Sequence, residues 1–403
     1  MILLASLLAH GPAPAILELL TLGSDGPCEA VPGGVSPGLI RTNLGVHEAQ
    51  PDGTFAFGCP SRWGGSETAL AAASPDGAGL WLAGTDGAYV STSGGCDARA
   101  YALGVDDVPV ALAAWRQEGW LLTRDFVESA GSLWRLPRIG PAERVQTWTA
   151  VRPDGLLADG DTLWVAGSQP NPTLLSYDGL AWRDRTPSAW PATEAPLDRL
   201  APKLAADGGV WLLAGTGAPR ALWWTDGDAV SVGPSATGSL LGPVRAPYVD
   251  VAVVDGALWW NLSGDWAPHG VEVDWTCLQM GPDGLPWACA QDELRQVVGV
   301  DVGGPMEVLA ASLRQLGPPL DGCDEVDGQC GLDWLHFGGE SGFVETSPTT
   351  CPDEVRRPLP TDAPAPTCAC DAGLGGSWAG AWLGLAALGV TRSRRRPHHA
   401  RGR

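Results

Sequence analysis

Basic residues are scarce in this chain. Lys and Arg number 25 against 46 Asp and Glu, a formal net charge of −21 over 403 residues. Six arginines and one Asp follow Cys370, so the chain before that point carries −26. Nucleic acid and anionic lipid both require a basic footprint, so neither is expected as the main partner. Long helical patterns with charged faces are also missing. Apolar runs are short and stop at Asp-Gly, Gly-Gly or Pro-Gly, which argues for an all-β fold. Tyr (4) and Phe (5) are few beside 20 Trp. The tyrosines are Tyr89, Tyr101, Tyr177 and Tyr248, and two of them lie in strand-like repeats. Sialidase-like chemistry, which needs a Tyr beside an arginine cluster and an acid, is therefore poorly supported. No GxSxG, HExxH, P-loop or GxGxxG stands in a suitable context. The six His are scattered, with no Cys partner at zinc spacing. His47, His269 and His336 are expected to be surface or satisfied polar residues.

What is abundant points to a folded, repetitive domain. Hydrophobic residues reach 44% despite 55 Gly and 35 Pro, too rich in core formers for a disordered chain. One motif recurs: a turn with Asp or Gly, a Trp-centred apolar strand, then a second turn. Its markers are Trp81, Trp120, Trp164, Trp211, Trp259, Trp287 and Trp334, with gaps of 39, 44, 47, 48, 28 and 47 residues. Apart from the 28, this is the roughly 40–50-residue period of four-stranded propeller blades. The short gap is read either as a trimmed blade or as two markers on strands of one blade, which leaves six or seven blades. A unit of this size cannot bury its own apolar face, so neighbours must stack, with the Trp expected between adjacent blades.

A second element follows several of these strands: HEAQPDGTFAFGC (47–59), TDGAYVSTSGGCD (85–97), LLSYDGLAWRD (174–184) and WWTDGDAVSV (223–232). It resembles the Asp-box hairpin of BNR-type propellers, a structural turn that implies fold rather than reaction. With GLIRTNLGVHEAQPDG (38–53) and LPWACA (285–290), followed by Cys323, Cys330 and Trp334, residues 38–340 resemble the BNR/YVTN-type propellers exported by myxobacteria and their relatives. That resemblance implies architecture and address, and no established reaction.

The ends carry the addresses. Met1 to Ala9 is apolar and Ala13-Pro-Ala15 offers small residues for cleavage, so 1–15 is expected to be a signal peptide, although no Lys or Arg precedes the run. Residues 343–370 are rich in Pro, Thr and Asp, the composition of a disordered, semi-extended stalk. Cys368 and Cys370 then precede an uncharged stretch from Ala372 to Thr391 and an arginine run, the stop-transfer pattern. Cysteine, span and arginines in that order resemble the MYXO-CTERM sorting tail. In that family the cysteine is the processing and anchoring point. The other reading is an ordinary C-terminal anchor helix, and both place the protein at an envelope surface.

Eight further cysteines in an exported chain read as disulfides. Cys277 and Cys289 flank the turn GPDG (281–284) on expected antiparallel neighbours, within disulfide reach. Cys323 and Cys330 close a short acidic loop. Cys59 and Cys96 each follow an Asp-box-like hairpin one blade apart, and Cys28 with Cys351 would tie the two ends of the ring. The loop 321–330 holds Asp321, Asp324, Glu325 and Asp327, oxygen donors that suit calcium, though the order is not that of an EF-hand. A disulfide-closed solvated loop explains it as well, and no other cofactor is expected.

The expectation is therefore an all-β chain: a propeller of six or seven four-stranded blades over 16–342, the stalk, and a membrane or sorting segment over 371–403. Its expected role is a surface-displayed, non-catalytic binding or scaffolding protein with an envelope protein or glycan as partner. The rival reading is an extracytoplasmic glycan hydrolase or lyase using acids at the channel mouth. An assembly factor for membrane complexes is a third.

Overall fold

A computed structural model describes most of residues 16–317. Residues 1–15 and 318–403 lie outside the described residues, as do internal connections such as 24–35, 59–69, 93–97 and 191–199. The strands fall into seven sheets. Blade 1 holds Ile16–Gly23 (β1), Ser36–Thr42 (β2), Gly45–Ala49 (β3) and Phe55–Ala56 (β4). Blade 2 holds Leu70–Ala73 (β5), Leu80–Gly84 (β6), Gly87–Ser91 (β7) and Arg99–Tyr101 (β8). Blade 3 holds Val108–Trp115 (β9), Glu118–Arg124 (β10), Gly131–Leu136 (β11) and Glu143–Trp148 (β12). Blade 4 holds Arg152–Asp159 (β13), Thr162–Gln169 (β14), Thr173–Tyr177 (β15) and Trp182–Asp184 (β16). Blade 5 holds Leu200–Leu204 (β17), Val210–Ala214 (β18), Arg220–Trp224 (β19) and Val230–Ser235 (β20). Blade 6 holds Leu240–Ala246 (β21), Val249–Val254 (β22), Ala257–Asn261 (β23) and Trp266–Pro268 (β24). Blade 7 holds Cys277–Met280 (β25), Pro286–Ala290 (β26), Glu293–Asp301 (β27) and Gly304–Ser312 (β28).

Each blade is an antiparallel meander, and its first strand touches the first strand of the next blade all the way round, β25 meeting β1. This is a closed seven-bladed propeller. Five of the Trp markers, Trp81, Trp120, Trp164, Trp211 and Trp287, sit on second strands. Trp259 does not: it lies on β23, the third strand of blade 6, whose second strand is instead filled by Val249, Val251, Val253 and Val254. The 28-residue gap is thus a shift of the marker within a full blade, not a trimmed blade. The seventh blade is the N-terminal one, which contains no Trp. Trp334 lies outside the described residues.

The core is a set of seams between blades. Trp81, Val90 and Tyr101 of blade 2 pack with Leu121, Trp134 and Leu136 of blade 3. Trp120 and Leu122 of blade 3 face Leu163 and Val165 of blade 4, so alternate residues of one strand serve opposite seams. Trp164 and Leu174 meet Val210, Leu212 and Trp224 in the next seam, and Trp211 meets Leu240 and Val254 in the one after. Both faces of the second strands of blades 2 to 7 are largely buried, which is why these strands read as continuous apolar runs rather than alternating ones.

Two devices close the ring. On the inner side the Gln279 amide serves as a strand partner for Leu19, donating to its carbonyl at 2.5 Å and accepting its N–H at 3.1 Å. On the outer side Leu316–Gly317 (β29) adds in parallel to β4. Cys277 and Cys289 are register partners on β25 and β26, joined as the sequence predicts, with Cα atoms 4.8 Å apart. The pairings expected for Cys59–Cys96, Cys323–Cys330 and Cys28–Cys351 fall outside the described residues.

Candidate functional site

The front face is taken as the one where each blade's first strand begins. At that face β13 opens with Arg152-Pro153-Asp154, while the first residues of β5, β9, β17, β21 and β25 are Leu70, Val108, Leu200, Leu240 and Cys277. Proline is tolerated so near a strand start, and Gly131 makes room for its ring: a Cβ there would lie 2.1 Å from Pro153. The register shift between Pro153 and Gly155 is a bulge, the device by which a strand re-aims a side chain. Asp154 is buried, its side chain 0% exposed. A buried carboxylate must be compensated. Arg124, from the end of β10 in blade 3, donates to Asp154 Oδ1 at 2.8 Å and to Pro153 O at 2.7 Å. Arg152 Nε stands 3.4 Å from the same Oδ1, and the Ser168 hydroxyl donates to Oδ2. The cluster stitches blade 3 to blade 4 at the front face.

Asp154 is tied to Arg124, Arg152 and Ser168, which suits holding and positioning. At the other end of the same strand, burial raises the pKa of Asp159 above the ordinary carboxylate value. Five residues of strand separate the two, about 16 Å at roughly 3.3 Å per residue. Glycosidase carboxyl pairs stand about 5–9.5 Å apart, so β13 does not supply one.

On the opposite, back face, arginines tie neighbouring hairpins together. Arg99 of β8 donates to three carbonyls of the turn after β11: Pro137 and Arg138 at 3.1 Å and Gly140 at 2.6 Å. Arg116 stacks on Trp115 and donates to Asp178 O at 2.9 Å in blade 4. Asp178 is the Asp-box aspartate that the sequence pattern singles out, and its role is the structural one expected. Its Oδ1 accepts the N–H groups of Leu180 and Ala181, at 2.9 and 2.8 Å. Those bonds, with Arg183, hold its pKa below the usual carboxylate value. Sequence reasoning missed Arg99, Arg116, Arg124 and Asp154, because an arginine aimed at a distant carbonyl or carboxylate leaves no local pattern.

The other sequence candidates separate cleanly. His47 is a satisfied core residue: Nε2 lies 2.7 Å from Thr42 Oγ1, and Nδ1 accepts Gly58 N–H at 3.2 Å. Asp321, Asp324, Glu325 and Asp327, and the anchor candidates Cys368 and Cys370, lie outside the described residues. Among the described residues, no group of three or more His, Cys, Asp or Glu gathers as a metal site. Among them too, no helix is long and apolar enough to cross a membrane.

No protein-family model and no curated protein matches the sequence. Among solved structures, the chain is similar to YCF48 from Cyanidioschyzon merolae at 13% identity, over 75% of this chain and 97% of that one, with a TM-score of 0.48. A YCF48 bound to a D1 peptide matches at 16% identity, 51% and 69% coverage and a TM-score of 0.34. The β-propeller domain of the Trilobed protease from Pyrococcus furiosus, described as having an open velcro topology, matches at 9% identity, 73% and 99% coverage and a TM-score of 0.44. At such identities and scores nothing about activity passes to this chain. Its class, a seven-bladed β-propeller, rests on its own sheets.

Proposed function

We propose that the protein is an exported, non-catalytic binding or scaffolding propeller of the cell envelope, displayed at the surface through its C-terminal segment. The observation that carries the non-catalytic reading is the Asp154 cluster: its ionisable side chains at the front face are spent on one another and on a backbone carbonyl. The Cys277–Cys289 bridge supports the export reading, since such bonds persist in oxidising compartments. The apolar leader and the span before the arginine run are the proposed addresses, and the myxobacterial sorting tail is the proposed form of the second. Calcium in the loop 321–330 remains a proposal of the sequence alone.

The test has two arms. Producing cells are fractionated and the chain is weighed intact; an envelope-associated chain lacking Met1 is expected, and a soluble cytosolic chain retaining Met1 and Arg403 would sink the export reading. The purified protein is then incubated with cell-wall and capsular glycans, with no bond cleavage expected. Turnover abolished by changing one acidic pair would put the hydrolase or lyase reading in its place.

A further inference from the structure

Among the described residues, four large hydrophobic side chains are exposed: Val108 at 38%, Val232 at 61%, Ile139 at 89% and Leu180 at 93%. Single exposed aliphatics are ordinary on protein surfaces. Three of these, however, occupy the same structural element in three consecutive blades. Ile139 lies in the connection between β11 and β12, Leu180 in that between β15 and β16, and Val232 on β20, opposite Leu222 of β19. Each belongs to the hairpin of its blade's third and fourth strands.

The first two hairpins are held more firmly than exposed turns need to be. Under Leu180, the Asp178 carboxylate takes two backbone N–H groups, Tyr177 OH donates to Gly179 O at 3.0 Å, and Arg183 binds the other carboxylate oxygen at 2.9 Å. Arg116 reaches in from blade 3 to Asp178 O. Under Ile139, Arg99 reaches in from blade 2 to three carbonyls, and Tyr101 OH adds a fourth bond to Pro137 O at 2.5 Å. Arg116 sits at φ 51 and Gln117 at φ 67, in a two-residue turn where Gly, Asn or Asp is favoured. An arginine kept there against backbone preference is explained by what its side chain holds. A turn fixed in advance loses little conformational freedom when a partner covers it.

We propose that the outer hairpins of blades 3 and 4 form a docking rim for a partner protein whose surface offers apolar pockets to Ile139 and Leu180 and carboxylates around them. The inference rests on the binding reading above and names the surface that serves it. Charge selects the occupant. Residues 99–185 hold nine Arg against eleven Asp and Glu, whereas the rest of the chain holds 16 basic against 35 acidic residues. Arg138 adjoins Ile139, and Arg116 and Arg183 flank Leu180 with side chains 46% and 58% exposed, although each also pairs within the chain, with Asp161 at 3.6 Å and Asp178 at 2.9 Å. The sector is near neutral at −2 while the rest of the chain carries −19, so an acidic partner is repelled least here, and charge then sets where it approaches. An anionic bilayer is disfavoured by the net charge of −21.

The experiment uses the full chain in producing cells. A photoreactive residue replaces Ala181 or Pro141, exposed neighbours of the two knobs, or Val108 at the front face. Adducts are identified by mass, and the protein found is purified and titrated against wild type, Leu180→Glu, Ile139→Glu and Leu180→Met. One and the same protein is expected from positions 181 and 141. Leu180→Glu should weaken its binding roughly 30-fold or more, as an interface anchor does, with Ile139→Glu weaker in effect and Leu180→Met nearly silent. Both knobs are exposed, so unfolding midpoints should not move. A protein adduct at 108 alone overturns the rim and leaves the binding reading standing. No protein adduct at any of the three overturns both. Adducts to lipid, or to a second copy of this chain, at 181 and 141 overturn the choice of occupant, as does a purified partner indifferent to Leu180→Glu.

Discussion

Between blades 2 and 3, the Trp81 indole covers the backbone at Gly119 and gives its N–H to Leu136 O at 2.9 Å. Between blades 6 and 7 the same kind of seam is filled by Val244, Val249, Val251 and Val253 against Trp275 and Leu278, and the adjoining blade is stapled by Cys277–Cys289. The first seam is specific. It needs a flat ring, a glycine beneath it and a carbonyl at its edge. The second is tolerant, since branched aliphatics fill space without directional bonds, and a covalent bond supplies what they do not. One fold thus carries two ways of joining blades, and they should fail differently.

The largest effects belong to the specific seams. Trp81→Ala removes a fully buried indole, and a loss of about 3–5 kcal/mol is expected in urea unfolding. Asp154→Ala should cost roughly 3 kcal/mol, because Arg124, 14% exposed, is left largely desolvated with no carboxylate opposite, while Arg152, 29% exposed, can turn to water. A loss below ~1 kcal/mol in either would mean that the seam relaxes as an aliphatic one does. Next comes the staple. Replacing Cys277 and Cys289 by Ala opens a short loop, for about 2–3 kcal/mol in the chain-entropy account. The valine seam beside it should hold, so a cooperative transition with a lowered midpoint is expected rather than a split one.

A finer contrast uses the indole N–H alone. Trp81→Phe strands Leu136 O and should cost about 1–3 kcal/mol beyond the change in volume. Trp275 Nε1 is buried without a hydrogen-bond partner among the described residues. Trp275→Phe therefore loses no bond and should cost only the change in volume. Equal costs for the two substitutions would erase the distinction between the seams.

The same contrast explains what could be read in the sequence. Trp81, Trp120, Trp164, Trp211 and Trp287 recur at blade spacing on second strands, because a large ring fills the same place in each seam, although among them the indole N–H groups of Trp120, Trp164 and Trp211 are buried without a hydrogen-bond partner among the described residues. The tolerant seam announces nothing: valines do its work in β22, and Trp259 misleads by standing on the third strand. Blade 1 has no Trp on its strands and shows in the sequence only through GLIRTNLGVHEAQPDG (38–53) and the Asp-box-like segment 47–59. Cys277–Cys289 was legible because GPDG fixes two antiparallel neighbours across a short turn. Arg124 and Asp154 were not, being 30 residues apart and brought together by a bulge that depends on the tertiary surroundings. Arg99 and Arg116 act on carbonyls of the next blade, which have no sequence identity to recognise.

The smallest expected effect distinguishes a charge-held turn from the covalent staple nearby. Asp255 and Gly256 form the two-residue turn between β22 and β23, with φ of 50 and 83. The Asp255 carboxylate accepts Thr237 N–H at 3.0 Å, Thr237 Oγ1 at 2.9 Å, Gly238 N–H at 2.7 Å and Ser239 N–H at 3.0 Å, so it orders the segment that leads into blade 6. The backbone N–H of Thr237, then that of Gly238 and the Thr237 hydroxyl, lower its pKa from the ordinary 3.8 to about 2. A carboxyl depressed by folding contributes fully above its unfolded value and loses that contribution as pH falls through the folded one. Hydrogen-exchange protection of the Gly238 and Ser239 amides, corrected for intrinsic rates, should therefore decline between about pH 4 and pH 2, while amides beside the Cys277–Cys289 bridge keep theirs. In Asp255→Asn, protection of the two amides should already be low at neutral pH and insensitive to acid, with the global midpoint almost unmoved because the site is exposed. Protection that survives to pH 2 in the wild type would show that the strand pairing of β21 and β22, and not the carboxylate, holds this segment.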